Sequence, residues 1–123
     1  MSKLKTIAFD LDDVMCYRPN GYEHLGPQKY DHCQPNLEVI DLINDLYEEG
    51  NKIVIYTARG MSQFNGNILL IYSELYTKTI NQLNAWELKY DHLVMGKIHY
   101  DVFVDDKALN YSDLTKEKIK KFL

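Results

Sequence analysis

The chain has 123 residues, of which 46% are hydrophobic and 26% charged, and its formal net charge is −4. This length and composition are typical of one globular domain with one core, so we expect a single domain spanning 1–123. The acidic balance argues against nucleic acid as a partner, because proteins that bind a phosphate backbone usually present a basic face.

The two cysteines, Cys16 and Cys33, are too few for a disulfide framework, so a reducing cytoplasm is the simplest setting. The first apolar stretch is interrupted at Asp10, before it reaches the length of a signal sequence. No apolar run approaches the roughly 20 residues of a membrane span. We therefore expect a cytoplasmic protein without a membrane partner.

The first half of the chain predicts a strand, a loop and a helix. Residues 5–9 form an apolar run that indicates a strand. The Gly-, Pro- and Tyr-rich stretch 15–34 follows neither the strand nor the helix period, and we interpret it as a loop or flap that serves as a lid. Leucines and isoleucines at helical spacing after Pro35 predict a helix that ends near Gly50.

The second half continues the alternation. KIVIYT at 52–57 predicts a buried strand, and residues 67–84 carry apolar residues at helical intervals. The runs DHLVMG and YDVFVDD predict a third and a fourth strand, and TKEKIKKFL predicts a short closing helix. This order predicts an α/β fold, a three-layer sandwich around a mostly parallel Rossmann-like sheet. No insertion is long enough for a large cap domain.

Polar residues follow every predicted strand. In parallel α/β sheets, ligands bind beyond the carboxyl ends of the strands, where these residues would gather. The candidates in chain order are Asp10 and Asp12, then Thr57 and Arg59, then Lys97, and finally Asp105 and Asp106. The sequence therefore predicts one site at this edge of the sheet.

The residue types in this array are those that phosphoryl transfer requires. Asp10 and Asp12 point the same way if strand geometry persists, roughly 7 Å apart, and clustered carboxylates that repel one another recruit a cation. Carboxylates without nearby His or thiolate suit a hard cation such as Mg²⁺. Thr57 and Lys97 add a hydroxyl and an ammonium group that bind an anion. An aspartate nucleophile, a metal and a fixed positive charge predict phosphate-ester chemistry.

The order F-D-L-D-D-V, Y-T-A-R, G-K and V-D-D-K resembles the haloacid dehalogenase-like (HAD) phosphohydrolase superfamily, from Asp10 to about Asn110. The resemblance implies Asp10 as nucleophile, Asp12 as general acid and then base, and Thr57 and Lys97 as phosphate binders. It also implies three kinds of Mg²⁺ ligand, which are Asp10, the carbonyl of Asp12, and either Asp105 or Asp106. Asp13 stands where family members commonly carry glycine, and a short acidic residue can still adopt the left-handed conformation. The acid at Asp12 favours a phosphatase over a dehalogenase.

The small capless form is similar to bacterial relatives that accompany surface-polysaccharide biosynthesis, which implies a sugar phosphate or a similar small phosphorylated metabolite as substrate. Polynucleotide ends and phosphoproteins stay open as substrates, because an uncapped site admits them. Water would have to be excluded by a partner subunit in a homo-oligomer, by the 15–34 flap, or by a bulky substrate.

Several residues have two interpretations. Arg18 either contacts substrate or belongs to an ordinary polar loop, and Arg59 pairs either with a second anionic group of the substrate or with a surface acid. A zinc site built from Cys16, His24, His32 and Cys33 is disfavoured, because their spacing lacks the C-x-x-C form.

Two functions of other classes compete with an enzyme. A signalling receiver domain would need its acceptor aspartate after a middle strand and its lysine after the last acid, whereas Lys97 precedes Asp105. A silent phosphate-binding module is disfavoured because every expected catalytic position is filled.

Overall fold

The structure is a computed structural model that describes residues 4–123. The elements in chain order are β1 (Thr6–Phe9), β2 (Cys16–Tyr17), β3 (Gln34–Pro35), α1 (Leu37–Glu48), β4 (Lys52–Thr57), α2 (Ile68–Ile71), α3 (Thr77–Ala85), β5 (His92–Met95) and α4 (Lys116–Lys120). A π-helical turn, Tyr72–Tyr76, joins α2 to α3, and 3₁₀ turns cover Glu23–His32 and Tyr111–Asp113. The chain is thus an α/β protein.

The central sheet contains three parallel strands in the order β1-β4-β5. In its register Ile7 is opposite Ile53, and Ile55 is opposite Leu93. Each crossover between parallel strands contains a helix and moves the chain in the same direction across the sheet. Right-handed crossovers therefore place these helices on one face of the sheet.

Burial along the strands alternates in agreement with this arrangement. The buried face contributes Phe9, Ile53, Ile55, Leu93 and Met95 to one core, together with apolar residues of α1 and of 71–83. The opposite face stays partly open, since Tyr56 and Val94 are each 37% exposed. Parallel sheets are normally covered on both faces, so the open face is the less usual feature of this fold.

The predicted helix after Pro35 is confirmed, and so are its ends. The Asn36 side chain caps α1 by accepting from the Val39 N–H at 3.4 Å. Gly50 has a φ of 99° and donates to the Tyr47 carbonyl at 3.0 Å, so the helix terminates in a conformation that favours glycine.

The 15–34 segment is more regular than the irregular loop that the sequence predicts. β2 and β3 pair antiparallel, with Cys16 opposite Pro35, and the 3₁₀ turns between them are interrupted at Gly26. The Tyr30 side chain is buried and accepts from the Gly60 N–H at 3.1 Å, which fixes the segment to the loop after β4. We call 15–34 the flap.

The predicted fourth strand is wrong. YDVFVDD has no partner strand among residues 4–123, and Val102 and Val104 are 76% and 88% exposed. A strand needs a neighbour that accepts and donates its backbone hydrogen bonds, and an apolar composition does not supply one. Instead, the rings of Tyr100 and Phe103 pack together with their centroids 5.3 Å apart.

Candidate functional site

Three of the predicted site residues meet at the carboxyl edge of the sheet. Asp10 follows β1, Thr57 ends β4, and Lys97 lies two residues beyond β5. The Lys97 N–H donates to the Thr57 carbonyl at 3.1 Å, and its ammonium Nζ lies 3.2 Å from Asp10 Oδ2. The other oxygen of Asp10 accepts from the Leu11 N–H at 2.8 Å. The carboxylate is therefore fixed from two sides and stays partly exposed.

Aromatic rings surround the Lys97 ammonium. Its Nζ lies 5.3 Å from the centroid of Tyr100, 5.9 Å from that of Tyr56 and 6.0 Å from that of Phe103, within the range of cation–π attraction. Burial lowers the pKa of Lys97, but a hydrogen bond with Tyr100 and the charge of Asp10 outweigh it, so the net pKa is raised. Lys97 stays a cation at physiological pH. Tyr100 and Phe103 were missed as site residues because their segment was predicted to be a strand.

The Thr57 hydroxyl is buried at this edge of the sheet. Its oxygen accepts a hydrogen bond from the Arg59 N–H at 3.1 Å, and this contact does not use the hydroxyl proton. The hydroxyl of Thr57 therefore keeps a proton that it can donate.

Arg59 is buried, with 3% of its surface exposed, and forms a two-pronged ion pair with Asp12. Nε lies 2.9 Å from Asp12 Oδ2 and Nη2 lies 3.1 Å from Oδ1, while Nη1 donates to Thr79 Oγ1 at 3.3 Å. The Tyr30 ring lies against the guanidinium, 4.8 Å from centroid to Cζ. Burial opposes the charge, but Asp12 outweighs it, and the net pKa of Arg59 is raised. Arg59 thus pairs with an acid of the chain, but this acid is the partly buried Asp12 and not a surface residue. Its predicted contact with a second anionic group of the substrate stays a prediction.

Arg18 also reaches Asp12. Its Nη1 lies 3.4 Å from Asp12 Oδ1, and its Nε lies 3.7 Å from the Glu23 carboxylate. Burial lowers the pKa of Arg18, but the charges of Asp12 and Asp13 outweigh burial, and the net pKa is raised. The structure thus brings Arg18 to the site, where its role toward substrate stays a prediction.

The chain turns sharply after Asp12. Asp13 has a φ of 69°, in the left-handed region, which a short acidic residue can adopt. Its N–H donates to the Cys16 carbonyl at 2.7 Å, which closes the turn and leads the chain into β2.

Two buried thiols also contact Asp12. Cys16 Sγ and Cys33 Sγ lie 3.5 Å and 3.6 Å from Asp12 Oδ1, and Arg59 Nη2 lies 3.8 Å and 3.5 Å from the same two sulfurs. The pKa of Cys16 is raised by its hydrogen bond to Cys33 and by burial. The pKa of Cys33 is lowered, because the hydrogen bond from Cys16 and the charge of Arg59 outweigh burial.

Among residues 4–123, Asp12, Cys16 and Cys33 are the one group of three potential metal ligands close together, with ligand atoms within 4.8 Å of one another. The Arg59 guanidinium already contacts all three of these atoms. A metal ion would have to displace a buried cation, so the group does not fit zinc. His32 lies elsewhere, stacked on Tyr22 at 4.0 Å.

Asp105 and Asp106 are exposed, and within the described residues they do not form a close group of three ligands with Asp10 and Asp12. Asp105 Oδ1 accepts from the Lys107 N–H at 3.1 Å. The pKa of Asp105 is lowered by a hydrogen bond from Asp106 and by that backbone contact. The predicted fourth strand would have ended at the carboxyl edge of the sheet and placed both aspartates there, and that strand is absent among residues 4–123.

No protein-family model matches the chain, and no curated protein sequence matches it significantly. A solved structure from Vibrio cholerae, described as the crystal structure of an MCSG target, is similar with a TM-score of 0.79 and 26% sequence identity. The match covers 97% of this chain and 96% of that one. The similarity supports the α/β fold over almost the whole chain, and its description names no activity. Within residues 4–123, no helix is long and apolar enough to cross a membrane.

Proposed function

We propose that the protein is a Mg²⁺-dependent phosphatase that hydrolyses a phosphate monoester through an aspartyl phosphate on Asp10. The observation that carries the proposal is the convergence of Asp10, Thr57 and Lys97 at one edge of the sheet, with the Lys97 ammonium 3.2 Å from an Asp10 oxygen. A partly exposed carboxylate beside a fixed cation and a hydroxyl donor is the set of groups that attack on phosphorus needs.

In the first step an Asp10 oxygen attacks phosphorus and the ester P–O bond breaks, with the electron pair leaving on the alcohol oxygen. Asp12 gives that oxygen a proton. In the second step Asp12 takes a proton from water as the water oxygen attacks the phosphorus of the aspartyl phosphate. The P–O bond to Asp10 breaks, its electron pair returns to the carboxylate, and inorganic phosphate leaves. Lys97 and Thr57 hold the phosphoryl oxygens throughout, and Arg59 orients Asp12.

The expectation that no thiol lies near the carboxylates is wrong, because Cys16 and Cys33 contact the Asp12 side chain. The oxygen donors of Asp10 and of the Asp12 carbonyl still suit Mg²⁺. Mg²⁺ is typically held by one or two carboxylates together with water and substrate phosphate, so a cluster of three carboxylates is not required. Asp10 and the carbonyl of Asp12 would hold it together with water and substrate phosphate. The expected ligand Asp105 or Asp106 is left out, because the strand that would bring it to this edge is absent among residues 4–123. When bound, the metal would neutralise charge on the phosphoryl oxygens.

The proposal includes a capless, three-layer Rossmann-like arrangement in a cytoplasmic hydrolase. The parallel order β1-β4-β5 supports the Rossmann-like arrangement. A third layer, or a second copy of the chain, would have to cover the open sheet face around Tyr56 and Val94. The substrate class we propose is a small phosphorylated metabolite such as a sugar phosphate, because Lys97 and Arg18 supply positive charge at a site without a cap.

The test is a panel of phosphorylated metabolites, with phosphate release measured for the wild type and for Asp10→Asn, with Mg²⁺ and with EDTA. We expect release that requires both Asp10 and Mg²⁺. Release by Asp10→Asn at the wild-type rate would exclude Asp10 as the nucleophile.

A second candidate is a phosphate-binding module without catalysis. The observation that favours it is the ion pair between Asp12 and Arg59, which engages both oxygens of the proposed acid. Calorimetric binding of a phosphorylated metabolite without turnover would select this candidate.

A further inference from the structure

Two thiols that the proposed reaction does not use lie against its acid–base carboxylate. Cys16 belongs to β2 and Cys33 directly precedes β3, so the two cysteines lie near the two ends of the flap. Both are free and buried, and their sulfurs and an Asp12 oxygen all lie within 4.8 Å of one another. They are the only two cysteines of the chain.

We propose that Cys16 and Cys33 are an oxidation site at which hydrogen peroxide forms a reversible intramolecular disulfide that slows catalysis at Asp12. The effect on rate rests on the proposed phosphatase function, whereas formation of the bond does not. The site is built by the fold, since pairing of β2 with β3 brings together two residues that are 17 positions apart.

The bond is within reach of a small adjustment of the flap. A disulfide has an S–S length of about 2.0 Å, and the two sulfurs start within 4.8 Å of each other. β2, which contains Cys16, and β3, which follows Cys33, are each two residues long, so only a short ladder of backbone hydrogen bonds has to adapt. Burial of both thiols excludes bulky disulfides and admits hydrogen peroxide, which is hardly larger than water.

The electrons balance with one molecule of peroxide. One sulfur attacks a peroxide oxygen and the O–O bond breaks, giving a sulfenic acid, while the thiol proton leaves with the released hydroxide as water. The second sulfur attacks the sulfenic sulfur, the S–S bond forms, and the sulfenic oxygen leaves as water with the second thiol proton. Two thiols lose two electrons in total, and the peroxide takes them.

The consequence for Asp12 follows from its contacts. Both S–H groups lie at hydrogen-bond distance from its Oδ1, and a disulfide has no proton to donate. Approach of the sulfurs also changes their contacts with Arg59 Nη2, which holds the same oxygen. Misplacing a catalytic group by about 1 Å can cost roughly 100-fold, so we expect kcat/KM to fall at least about tenfold on oxidation.

The experiment treats the full chain with hydrogen peroxide and measures phosphate release. A portion is then unfolded, its remaining thiols are alkylated, and its intact mass and peptide map are measured. We expect a Cys16–Cys33 linked peptide, loss of alkylation at both positions, and a fall in activity that dithiothreitol reverses. Cys33→Ser is the matched variant, because a single remaining cysteine cannot form the intramolecular bond. The ratio of treated to untreated activity should stay higher in this variant than in the wild type.

Each outcome decides the proposal. Peroxide treatment that leaves both thiols alkylatable overturns it, whatever the activity. A linked peptide with unchanged activity also overturns it, because the bond would then have no effect on Asp12. If the untreated protein hydrolyses no phosphate ester, the proposed function has failed, and the oxidation site is then judged from the linked peptide and its reduction alone.

Discussion

Replacing Arg59 with leucine removes the buried cation that holds Asp12. The guanidinium makes two hydrogen bonds to that carboxylate, at 2.9 Å and 3.1 Å, and one to Thr79. Removing one partner of a buried ion pair costs about 3–5 kcal/mol. The Asp12 side chain is 14% exposed and keeps Arg18 at 3.4 Å, so we expect the lower end of that range, about 3 kcal/mol.

This loss should be visible in thermal unfolding followed by circular dichroism. For a chain of 123 residues, 1 kcal/mol corresponds to about 4 °C in Tm, which gives a decrease of about 12 °C for Arg59→Leu. Arg59→Lys keeps a positive charge but loses the two-pronged geometry of the guanidinium, so its Tm should lie between those of the wild type and Arg59→Leu. Lys78→Met is the control, because its pair with Asp31 is exposed and should contribute at most about 0.5 kcal/mol. A Tm for Arg59→Leu equal to that of the control would refute the reasoning.

Three further changes test other parts of the structure. Lys97→Met should lower kcat/KM by about 10²–10³, as for loss of one preorganised donor. The folded pKa of Lys97 is raised above its ordinary 10.5, so the stability from its ion pair with Asp10 should be fully present below pH 10.5 and disappear at higher pH. Urea unfolding of the wild type and Lys97→Met at several pH values would measure this difference. Tyr30→Phe leaves the Gly60 N–H without its acceptor and should cost about 1–2 kcal/mol in urea unfolding, with exposed Tyr17→Phe near zero as control. Gly60 has a φ of 81°, and a Cβ added there would lie 2.6 Å from Leu75 Cδ1. The Tm of Gly60→Ala should therefore fall well below that of the control Gly21→Ala, whose added Cβ meets nothing within 4 Å. Equal Tm values for the two glycine variants would contradict this packing.

The elements that the sequence predicted correctly depend on local patterns. KIVIYT forms a strand because its β-branched residues pack on both neighbouring strands, and α1 ends at Gly50 because glycine adopts a positive φ without strain. The meeting of Asp10, Thr57 and Lys97 follows from the parallel order, since parallel strands end at the same edge.

What the sequence did not predict depends on distant partners. VFV has the composition of a strand, yet whether it pairs is decided by a neighbouring edge far away in the chain. The direction of the Arg59 side chain is set by Thr79, 20 residues later, and by Tyr30, 29 residues earlier. The two cysteines meet because β2 pairs with β3, and two-residue strands are too short to show a period.

The most direct test of the proposed function is identification of the phosphorylated residue. Protein quenched during turnover of a phosphate ester in Mg²⁺ is treated with borohydride, which reduces an aspartyl phosphate to homoserine, and peptides are mapped by mass spectrometry. The proposal predicts homoserine at position 10 in the wild type and none in Asp10→Asn. Turnover without any modified aspartate, or homoserine at another position, would contradict it.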